Sequence, residues 1–342
     1  MTILFFARLF WPHGGGVETH VLEVGKRLIG KGYKVVVVTE LLAKTKEKEN
    51  IGGIEIFRIP VGKDNWFKKF RIWKWFWQNR KLIQQADIAH AHDVFFWYLP
   101  FRFLYLNKPI YTTFHGYETK FPPAKKAIFV RRLSEKLSWG NICVGDYIKK
   151  WYKTKPNYIT YGGVNVHLGG VMVSQAQQPA TIRGEDQKLN ILFIGRLEED
   201  IGISLYLQAI RKMKKTRNVD VIFLGDGSFR HEAEKLGRVT TFQEKFVVQA
   251  DVVFASSYLS MLSAMAAKKP VVAVYTNSLK KDYLTMTPFA KFITIVDSLD
   301  KIVDTVKNLE KTNQMVDQAY DWVKGQTWEK IVNLYIKLWK MN

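Results

Sequence analysis

Three adjacent glycines near the amino terminus form the first pattern that could do chemistry. Gly14, Gly15 and Gly16 follow a short apolar run and precede a helical pattern that begins near Val17. Glycines at a strand-to-helix turn let backbone N–H groups and the positive helix end approach an anion or a sugar hydroxyl. The spacing differs from the G-x-G-x-x-G of dinucleotide-binding enzymes, which disfavours a dehydrogenase. A purely structural turn is the alternative, because three glycines can simply shape the connection.

A histidine and an arginine each follow a short apolar run that has the composition of a strand. His115 comes after residues 110–114, and Arg196 comes shortly after residues 191–194. Open parallel sheets bind ligands at the carboxyl ends of their strands, so we expect both side chains at a cleft. The imidazole could orient a substrate, and the guanidinium could grip a diphosphate in bidentate fashion. The alternatives are that the histidine makes its hydrogen bonds within its own loop and that the arginine is only solvated.

The spacing of histidine and cysteine disfavours a metal centre. His90 and His92 alternate on one predicted strand and His115 lies elsewhere, so a zinc site would need a third ligand that this spacing does not supply. Cys143 is the only cysteine, which excludes an intramolecular disulfide and a cysteine-based zinc site and suits a reducing compartment. We expect neither a metal nor a cofactor.

The elements that must position these residues form two series of strands. The chain has 342 residues, of which 47% are hydrophobic, so it is long enough for two domains. Short β-branched or aromatic runs alternate with amphipathic stretches, which predicts parallel strands joined by crossover helices. The first series comprises residues 3–6, 35–39, 88–91, 110–114 and 141–144, and the second comprises residues 191–194, 219–224, 252–255 and 271–274. The predicted class is α/β with two doubly wound, Rossmann-like sheets.

A composition shift between the two series predicts the domain boundaries. Residues 166–187 are rich in Gly, Ser, Gln and other small residues, which is typical of a linker. We therefore expect an N-terminal domain at residues 1–165 and a C-terminal domain at residues 188–320. Residues 321–342 carry apolar side chains at helical spacing and are expected to form a closing helix.

The order of the segments resembles one known family. The chain contains, in sequence, GGGVETHVLEVGKRLIGKGYKVVVVT, DIAHAH, TTFHGYE, ICVGDYIKKWY, YITYGGVN, ILFIGRL, VIFLGDG and ADVVFASS. This ordered set covers most of the chain and resembles glycosyltransferase family 4, also called glycosyl transferases group 1. Members of that family have the GT-B fold, in which two Rossmann-like domains face each other across a cleft.

The resemblance implies a reaction and a set of site residues. It implies transfer of a sugar from a nucleotide-sugar donor to a glycan or lipid-linked acceptor, with retention of configuration and without a metal. It assigns His115 to the reaction centre, as the catalytic residue that orients the donor sugar, and Gly15 and Gly16 to the acceptor side. The donor-binding residues that it implies are Gly116, Arg196, Gly225, Asp226, Gly227 and Ser263.

Three positions depart from the family pattern around the donor site. Ile201 stands where most members have a lysine that contacts the phosphates, Ser263 replaces the second of two glutamates, and Lys268 replaces a glycine. Lys268 and Lys269 could supply the missing positive charge. A catalytically impaired protein that binds a sugar or nucleotide is therefore an alternative to an enzyme.

Residues 65–82 combine tryptophan with lysine and arginine, as helices at a lipid interface do. With 52 Lys and Arg against 31 Asp and Glu, the net charge of +21 favours anionic partners. No tract reaches the roughly 20 apolar residues of a spanning helix, and no export signal is visible, so we expect a cytoplasmic protein on an anionic membrane surface. The alternatives are a core-facing aromatic stripe and a nucleic-acid surface; no nucleic-acid module is recognisable, which makes the latter unlikely. The expected membrane contacts are Trp66, Lys69, Phe70, Trp73, Lys74 and Trp77.

Within that segment, the aromatic side chains do not all share one helix face. Trp66, Phe70, Trp73 and Trp77 follow helical spacing, whereas Trp75 and Phe76 lie off this stripe. One core could not easily bury both sets, so part of the aromatic surface is expected to remain exposed.

Overall fold

The computed structural model describes residues 1–117, 120–165 and 188–340, which form two α/β units. The first unit contains residues 1–117, 122–160 and 328–340. The second contains residues 120–121, 161–165 and 188–327. Each unit is built on a sheet of its own.

In the described part of the first unit, the sheet has eight strands. They are β1 (Thr2–Ala7), β2 (Lys34–Glu40), β3 (Lys48–Ile51), β4 (Ile54–Ile59), β5 (Ile88–His92), β6 (Ile110–Phe114), β7 (Gly140–Val144) and β8 (Tyr158–Thr160). They pair in the order β3-β4-β2-β1-β5-β6-β7-β8, and β3 with β4 is the antiparallel pair. Strands β1, β2, β5, β6 and β7 are almost entirely buried, as expected for parallel strands with both faces covered.

Helices connect these strands, together with a short 3-10 helix at Phe95–Trp97. They are α1 (Gly16–Gly30), α2 (Lys68–Gln78), α3 (Lys81–Gln85), α4 (Leu99–Leu104), α5 (Lys125–Leu137), α6 (Tyr147–Tyr152) and, at the end of the chain, α14 (Trp328–Leu338). In α1, Val21, Val24 and Leu28 recur at helical spacing and are buried, which explains why this segment packs on the sheet. Helix α14 packs against α1 and β8.

Residues 188–327 of the second unit contain a six-stranded sheet in which all pairs are parallel. Its strands are β9 (Leu189–Ile194), β10 (Val219–Leu224), β11 (Arg238–Thr240), β12 (Val252–Ala255), β13 (Val271–Val274) and β14 (Thr294–Val296). Their order, β11-β10-β9-β12-β13-β14, is the Rossmann order 3-2-1-4-5-6.

The helices of the second unit follow the strands in alternation. They are α7 (Ile203–Lys214), α8 (Arg230–Glu234), α9 (Glu244–Gln249), α10 (Tyr258–Ala266), α11 (Ser278–Thr285), α12 (Leu299–Lys307) and α13 (Asn313–Val323), with 3-10 helices at Glu199–Ile201, Ala290–Phe292 and Leu309–Thr312. The apolar face of α7 is buried with β9, β10 and α12 in one core.

In both sheets the strand order reverses beside the first strand of the unit. Strand β1 lies between β2 and β5, and β9 lies between β10 and β12. Ligands of open α/β sheets bind at such switch points, beyond the carboxyl ends of the strands. The loops after β1 and β5, and those after β9 and β12, are therefore where a site is expected.

The predicted fold class, α/β with two doubly wound sheets, is confirmed. The domain bounds differ from the predicted ones in detail. Residues 161–165 lie with the second unit, because the Tyr161 ring packs 5.5 Å from that of Tyr258 and Val164 pairs with Thr327. The last helix, α14, lies with the first unit. The predicted linker, residues 166–187, is outside the described residues.

Candidate functional site

His115 follows β6 and is held by the loop that follows β5. Its backbone N–H donates to the Asp93 carboxylate, at 3.1 Å from Oδ1. Asp93 has a φ of 61°, and its own N–H donates to the Thr113 carbonyl at 3.0 Å. The His115 ring places Nε2 2.9 Å from Nδ1 of His92, the last residue of β5. Backbone and ring are both fixed, so the orientation of the imidazole is set before any ligand arrives.

A second set of buried side chains in the first unit forms a hydrogen-bonded chain. The Trp339 indole N–H donates to His90 Nδ1 at 3.0 Å, so His90 carries its proton on Nε2 and donates it to Thr113 Oγ1 at 2.8 Å. The Thr113 hydroxyl lies 2.8 Å from the Tyr335 hydroxyl, which in turn lies 2.9 Å from His20 Nε2. Sequence spacing did not indicate this network, because Tyr335 and Trp339 come from the far end of the chain.

The four clustered histidines, His20, His90, His92 and His115, are held neutral. Burial lowers the pKa of His20 to about 3. Burial, and after it repulsion from neighbouring imidazoles, lowers the pKa of His90 and His92 well below the ordinary value. The pKa of His115 is lowered for the same reasons, and repulsion from Arg131 adds to the effect. A neutral imidazole offers one N–H donor and one lone pair, so these rings relay hydrogen bonds and carry no charge.

The proton between His92 and His115 can be assigned from what lies beyond it. His92 Nε2 is buried without a hydrogen-bond partner among the described residues. Orphaned buried N–H groups are rarer than orphaned acceptors, so we place the His92 proton on Nδ1, where it donates to His115 Nε2. His115 then carries its own proton on Nδ1 and offers an N–H donor. This arrangement suits a residue that hydrogen-bonds a sugar oxygen better than it suits a general base.

The predicted glycines of the first unit are not demanded by packing. A β-carbon placed on Gly16 or Gly116 would meet no atom of the described residues within 4 Å. One on Gly15 would meet the end of the flexible Glu18 side chain, which accepts from His13 Nδ1 at 3.0 Å. Burial raises the pKa of Glu18, so this carboxyl is a titratable group in the first turn of α1 that sequence reasoning missed.

In the second unit, Arg196 lies in the loop after β9 and pairs with a carboxylate from the same loop. Its Nη2 donates to Asp200 Oδ2 at 2.6 Å, while 57% of the side chain stays exposed. Ile201, at the position where the family has a lysine, is buried in the core of the unit. The loop therefore offers one exposed guanidinium for an anion.

The Gly225–Gly227 turn follows β10 and packs directly on the Arg196 loop. The Leu197 N–H donates to the Asp226 carbonyl at 2.8 Å. A β-carbon on Gly225 would collide with the Gly195 carbonyl oxygen, and one on Gly227, whose φ is 155°, would collide with the Leu197 carbonyl oxygen. These glycines are required by the close approach of two loops, which is a structural reason for their presence.

Two further predicted positions are placed away from that turn. The Asp226 side chain is exposed and makes an ion pair with Arg230 at 3.4 Å. Ser263 lies in the second turn of α10 and is half-buried. Helix α10 starts at the carboxyl end of β12 and leads away from it, so Ser263 is more than one turn from that edge.

Lys268 and Lys269 cannot supply charge beside Arg196. They precede β13, whereas Arg196 follows β9, and in a parallel sheet these are opposite edges. The Lys268 ammonium instead lies 3.7 Å from the Asp317 carboxylate and over the Tyr320 ring. A lysine that sequence reasoning missed, Lys280, lies on the correct edge in α11 and is buried.

The described residues hold no group of three or more His, Cys, Asp or Glu side chains with the geometry of a metal site. Cys143 is buried in β7, and burial raises the pKa of its thiol to about 12, so it behaves as a core residue. Within the described part of the chain, no helix combines the length and hydropathy that crossing a bilayer requires.

The exposed aromatic cluster, which we define as Trp66, Phe70, Trp73 and Trp77, lies on and before α2. Trp66, Phe70 and Trp77 are exposed, and the Trp73 indole is half-buried and donates to the Phe96 carbonyl at 2.9 Å. The Lys69 ammonium lies 4.5 Å from the Trp66 ring centroid, and Lys74 is exposed.

The core face of α2 is formed by other residues. Ile72 and Phe76 are buried, and Trp75 packs against the same core. The alternative of a core-facing stripe is therefore wrong for the exposed aromatic cluster. Phe76 is buried because it lies one turn from Ile72 on the core-facing side. By sequence spacing, it was one of the aromatic residues that one core could not easily bury.

Two family models match successive parts of the chain. Glycosyltransferase family 4 matches residues 14–168, and glycosyl transferases group 1 matches residues 188–288. An uncharacterized glycosyltransferase, MJ1607 of Methanocaldococcus jannaschii, is 25% identical over 75% of this chain and 76% of its own length. The phosphatidylinositol N-acetylglucosaminyltransferase gpi3 subunit of Schizosaccharomyces pombe is 23% identical over 70% of this chain, which spans about half (53%) of that relative.

Solved structures show the same fold at lower identity. Sucrose-phosphate synthase from Thermosynechococcus elongatus superposes with a TM-score of 0.75 at 14% identity, covering 99% of this chain and 98% of its own. HepE of Anabaena, solved in complex with UDP and glucose, gives a TM-score of 0.68 at 13% identity, covering 98% of each chain. The resemblance found in the ordered segments is confirmed, and so is the GT-B fold class.

Proposed function

Since the chain belongs to glycosyltransferase family 4, we propose that it moves a sugar from a nucleotide-sugar donor to a lipid or glycan acceptor at a membrane surface. The observation that carries the proposal is the fixed, neutral His115. Its ring is oriented by His92 and its backbone by Asp93, and it offers an N–H donor beside Gly116, where the described residues leave open space. Such preorganisation is what orienting a donor sugar requires.

The donor is a nucleotide sugar in this proposal, held by the second unit. Arg196 is an exposed guanidinium at the switch point of a Rossmann-order sheet, where nucleotides bind in this fold. It would contact the diphosphate and stabilise the negative charge that develops on the leaving group. The solved HepE structure with UDP and glucose supports this class of donor.

The acceptor is membrane-associated in this proposal. The exposed aromatic cluster places tryptophan and phenylalanine rings beside Lys69 and Lys74, which suits the interface of an anionic bilayer. The protein would act on the cytoplasmic side. The name of the gpi3 relative describes transfer to phosphatidylinositol, a lipid acceptor.

The stereochemical course is retention, which the family implies. His115 supplies an N–H donor and no carboxylate is assigned as nucleophile, so the departing phosphate would assist deprotonation of the acceptor hydroxyl. No metal is assigned a role, because Arg196 provides the positive charge that the leaving group needs.

The test is calorimetric titration with a panel of UDP-, ADP- and GDP-sugars, followed by a donor-hydrolysis assay on each sugar that binds. We expect at least one to bind and turn over, with turnover lost in His115→Ala. His231→Ala, which changes an exposed histidine of α8, is the matched control and should keep full activity. Absence of binding across the panel, or full turnover in His115→Ala, would contradict the proposal.

A second candidate function is binding of a nucleotide sugar without transfer. Ile201 and Ser263 carry no charge where the family has a lysine and a glutamate, and Ile201 is buried. The same titration separates the two candidates, because donor binding with no hydrolysis and no transfer would favour the binding module.

A further inference from the structure

Four polar residues converge at the carboxyl edge of the second sheet. Arg196 and Asp200 lie in the segment after β9, Ser256 follows β12, and Lys280 lies in α11 after β13. Strands β9, β12 and β13 are direct neighbours, so their carboxyl ends bring these residues to one place. Arg196 and Asp200 form an ion pair at 2.6 Å, and Asp200 attracts the Lys280 ammonium while Arg196 repels it, which agrees with this common place.

Lys280 is held in a defined position. Its backbone N–H donates to the Asn277 side-chain oxygen at 2.9 Å, which caps α11 and fixes its first turn. Its ammonium donates to the Ser256 carbonyl at 2.5 Å and lies 4.1 Å from the centroid of the Tyr283 ring. Only 2% of the residue is exposed. The side chain therefore lies inside the unit, at the level of the strand ends.

The ammonium is incompletely satisfied. It has three N–H donors, and among the described residues it makes one hydrogen bond, to Ser256. Burial is the largest influence on Lys280 and lowers its pKa to about 7, so a fraction of the molecules carry a neutral amine at neutral pH. A buried charge of this kind adds little stability compared with an apolar side chain of similar length. Two of its N–H donors make no hydrogen bond among the described residues and are available to a ligand.

We propose that Lys280 is the second cation of the donor diphosphate site, a role that rests on the proposed nucleotide-sugar function. It supplies, from α11, the charge that Ile201 does not supply from the Arg196 loop. Arg196 gives a bidentate guanidinium, and Lys280 gives a point charge with two remaining N–H donors. A diphosphate has enough oxygens to accept from both, and it would add charge-assisted contacts to the hydrogen bond that the buried ammonium makes with Ser256.

Binding should also take up protons. An anion next to Lys280 favours its charged form, so the neutral fraction is protonated when the diphosphate binds. The groups that can influence this titration are Arg196 and Asp200 after β9, Tyr283 on α11, and Tyr206 and Tyr258, which line the Ser256 loop. Burial raises the pKa of Tyr206 further above the neutral range, so this phenol does not take part.

The experiment is titration of the full chain with UDP and ADP, and with uridine and adenosine as probes without phosphate. Lys280→Met should weaken binding of whichever diphosphate binds by about tenfold or more and leave its nucleoside unchanged. Lys280→Gln retains a donor for the Ser256 carbonyl but no charge, and should lose diphosphate affinity in the same way. Lys281→Met, which changes the adjacent exposed lysine of α11, is the matched control.

Two readouts separate a ligand-binding role from a structural one. Lys280→Met should melt at the same temperature as the unchanged protein or higher, because it removes a buried charge. Titration at pH 7 in buffers of different ionisation enthalpy should show proton uptake that disappears in both Lys280 variants. A structural lysine would lower the melting temperature when replaced and leave proton uptake unchanged, which would overturn the inference.

The outcomes also distinguish this inference from the function on which it rests. If the unchanged protein binds neither diphosphates nor nucleotide sugars, the proposed function fails and Lys280 has no such role. If it binds them and both Lys280 variants bind equally well, the proposed function stands and only the assignment of Lys280 is overturned.

Discussion

The rings of His92 and His115 meet at 2.9 Å, Nδ1 to Nε2, at the carboxyl ends of two neighbouring strands. One proton lies between them, and burial keeps the pKa of each well below the ordinary range. His20 and His90 complete a group of four neutral imidazoles in the first unit. Their neutrality lets His115 act as a hydrogen-bond donor, and it makes the first unit sensitive to acid.

We expect the protein to lose stability as the pH falls from about 6.5, the ordinary histidine value. The unfolded chain takes up protons there, whereas the folded histidines stay neutral until far lower pH, about 3 for His20. The free energy of unfolding is therefore at its full value above about pH 6.5 and declines as the pH falls below it. Each histidine contributes a slope of up to about 1.4 kcal/mol per pH unit to the free energy of unfolding. Urea unfolding between pH 5 and 7 measures this slope.

The matched comparison is His20→Gln against His231→Gln. Removing the buried His20 should reduce the slope by about the contribution of one titrating proton. The same change also removes the hydrogen bond between His20 and Tyr335. His231 is exposed on α8, and its replacement should leave the slope unchanged. An unaltered slope in His20→Gln would mean that the acid sensitivity comes from other groups.

The glycines of the two units should respond differently to alanine. On Gly225 a β-carbon would collide with the Gly195 carbonyl, so Gly225→Ala should lower the free energy of unfolding by about 1–3 kcal/mol and displace the Arg196 loop. On Gly16 a β-carbon meets open space at the start of α1, so Gly16→Ala should leave stability unchanged or raise it by up to about 1 kcal/mol.

Gly16→Ala, which is harmless to stability, is expected to lower activity. If a ligand fills the space beside it, Gly16→Ala should reduce kcat/KM in a protein that melts normally. Melting curves and transfer assays on the same two variants test both statements. A stable Gly225→Ala protein with normal donor affinity would contradict the packing role, and a fully active Gly16→Ala protein would remove Gly16 from the acceptor site.

Much of the fold could be read from the sequence because buried parallel strands are continuous apolar runs. Residues 110–114, 219–224, 252–255 and 271–274 were predicted with the bounds that β6, β10, β12 and β13 have. Strands β8, β11 and β14 were missed, since each has three residues and lies at a sheet edge, where composition is mixed. The hairpin of β3 and β4 was missed as well.

The site was harder to predict than the fold. His115 and Arg196 could be located because His115 directly follows β6 and Arg196 follows the end of β9 after one intervening residue. The apolar spacing of the predicted closing helix agrees with the burial of Tyr335 but did not reveal its hydrogen-bond partners. Lys280 could not be located, since a lysine among other lysines has the appearance of an ordinary surface residue. The hydrogen bonds of these two side chains span long sequence separations, 315 residues from His20 to Tyr335 and 24 from Ser256 to Lys280, which no local pattern records.

Lys268 occupies a backbone conformation that favours glycine. Its φ is 54°, directly after the end of α10, and the family has glycine there. A non-glycine residue in this region costs about 1 kcal/mol of stability. The half-exposed ion pair between Lys268 and Asp317 is expected to contribute less than that. Lys268→Gly should therefore raise the free energy of unfolding by about 0.5–1 kcal/mol.

Lys268→Ala is the control, because it removes the same side-chain contacts and keeps the strained backbone. The glycine variant should be more stable than the alanine variant by about 1 kcal/mol, as measured by urea unfolding at pH 7. Equal stability of the two variants would show that the left-handed conformation is not strained at this position.

The exposed aromatic cluster gives the membrane proposal its sharpest test. Replacing Trp66, Phe70 and Trp77 with Ser removes three large exposed rings and leaves the core face of α2 intact, since Ile72 and Phe76 form that face. Full burial of one large ring contributes about 1.5–3 kcal/mol, so three rings that are each partly buried in a bilayer interface contribute more than the roughly 1.4 kcal/mol of a tenfold change. Binding to vesicles that contain phosphatidylglycerol should therefore fall by at least about tenfold, with an unchanged melting temperature.

The control changes the same number of exposed rings elsewhere on the first unit. Phe103, Phe129 and Trp139 are exposed to a similar degree, at 62%, 65% and 52%, and lie outside the cluster. Their replacement with Ser should leave vesicle binding unchanged if α2 is the membrane contact. Added salt should weaken binding of the unchanged protein, because Lys69 and Lys74 attract the anionic surface. Equal loss in both triple variants would show that apolar exposure in general, and not the α2 surface, drives adsorption.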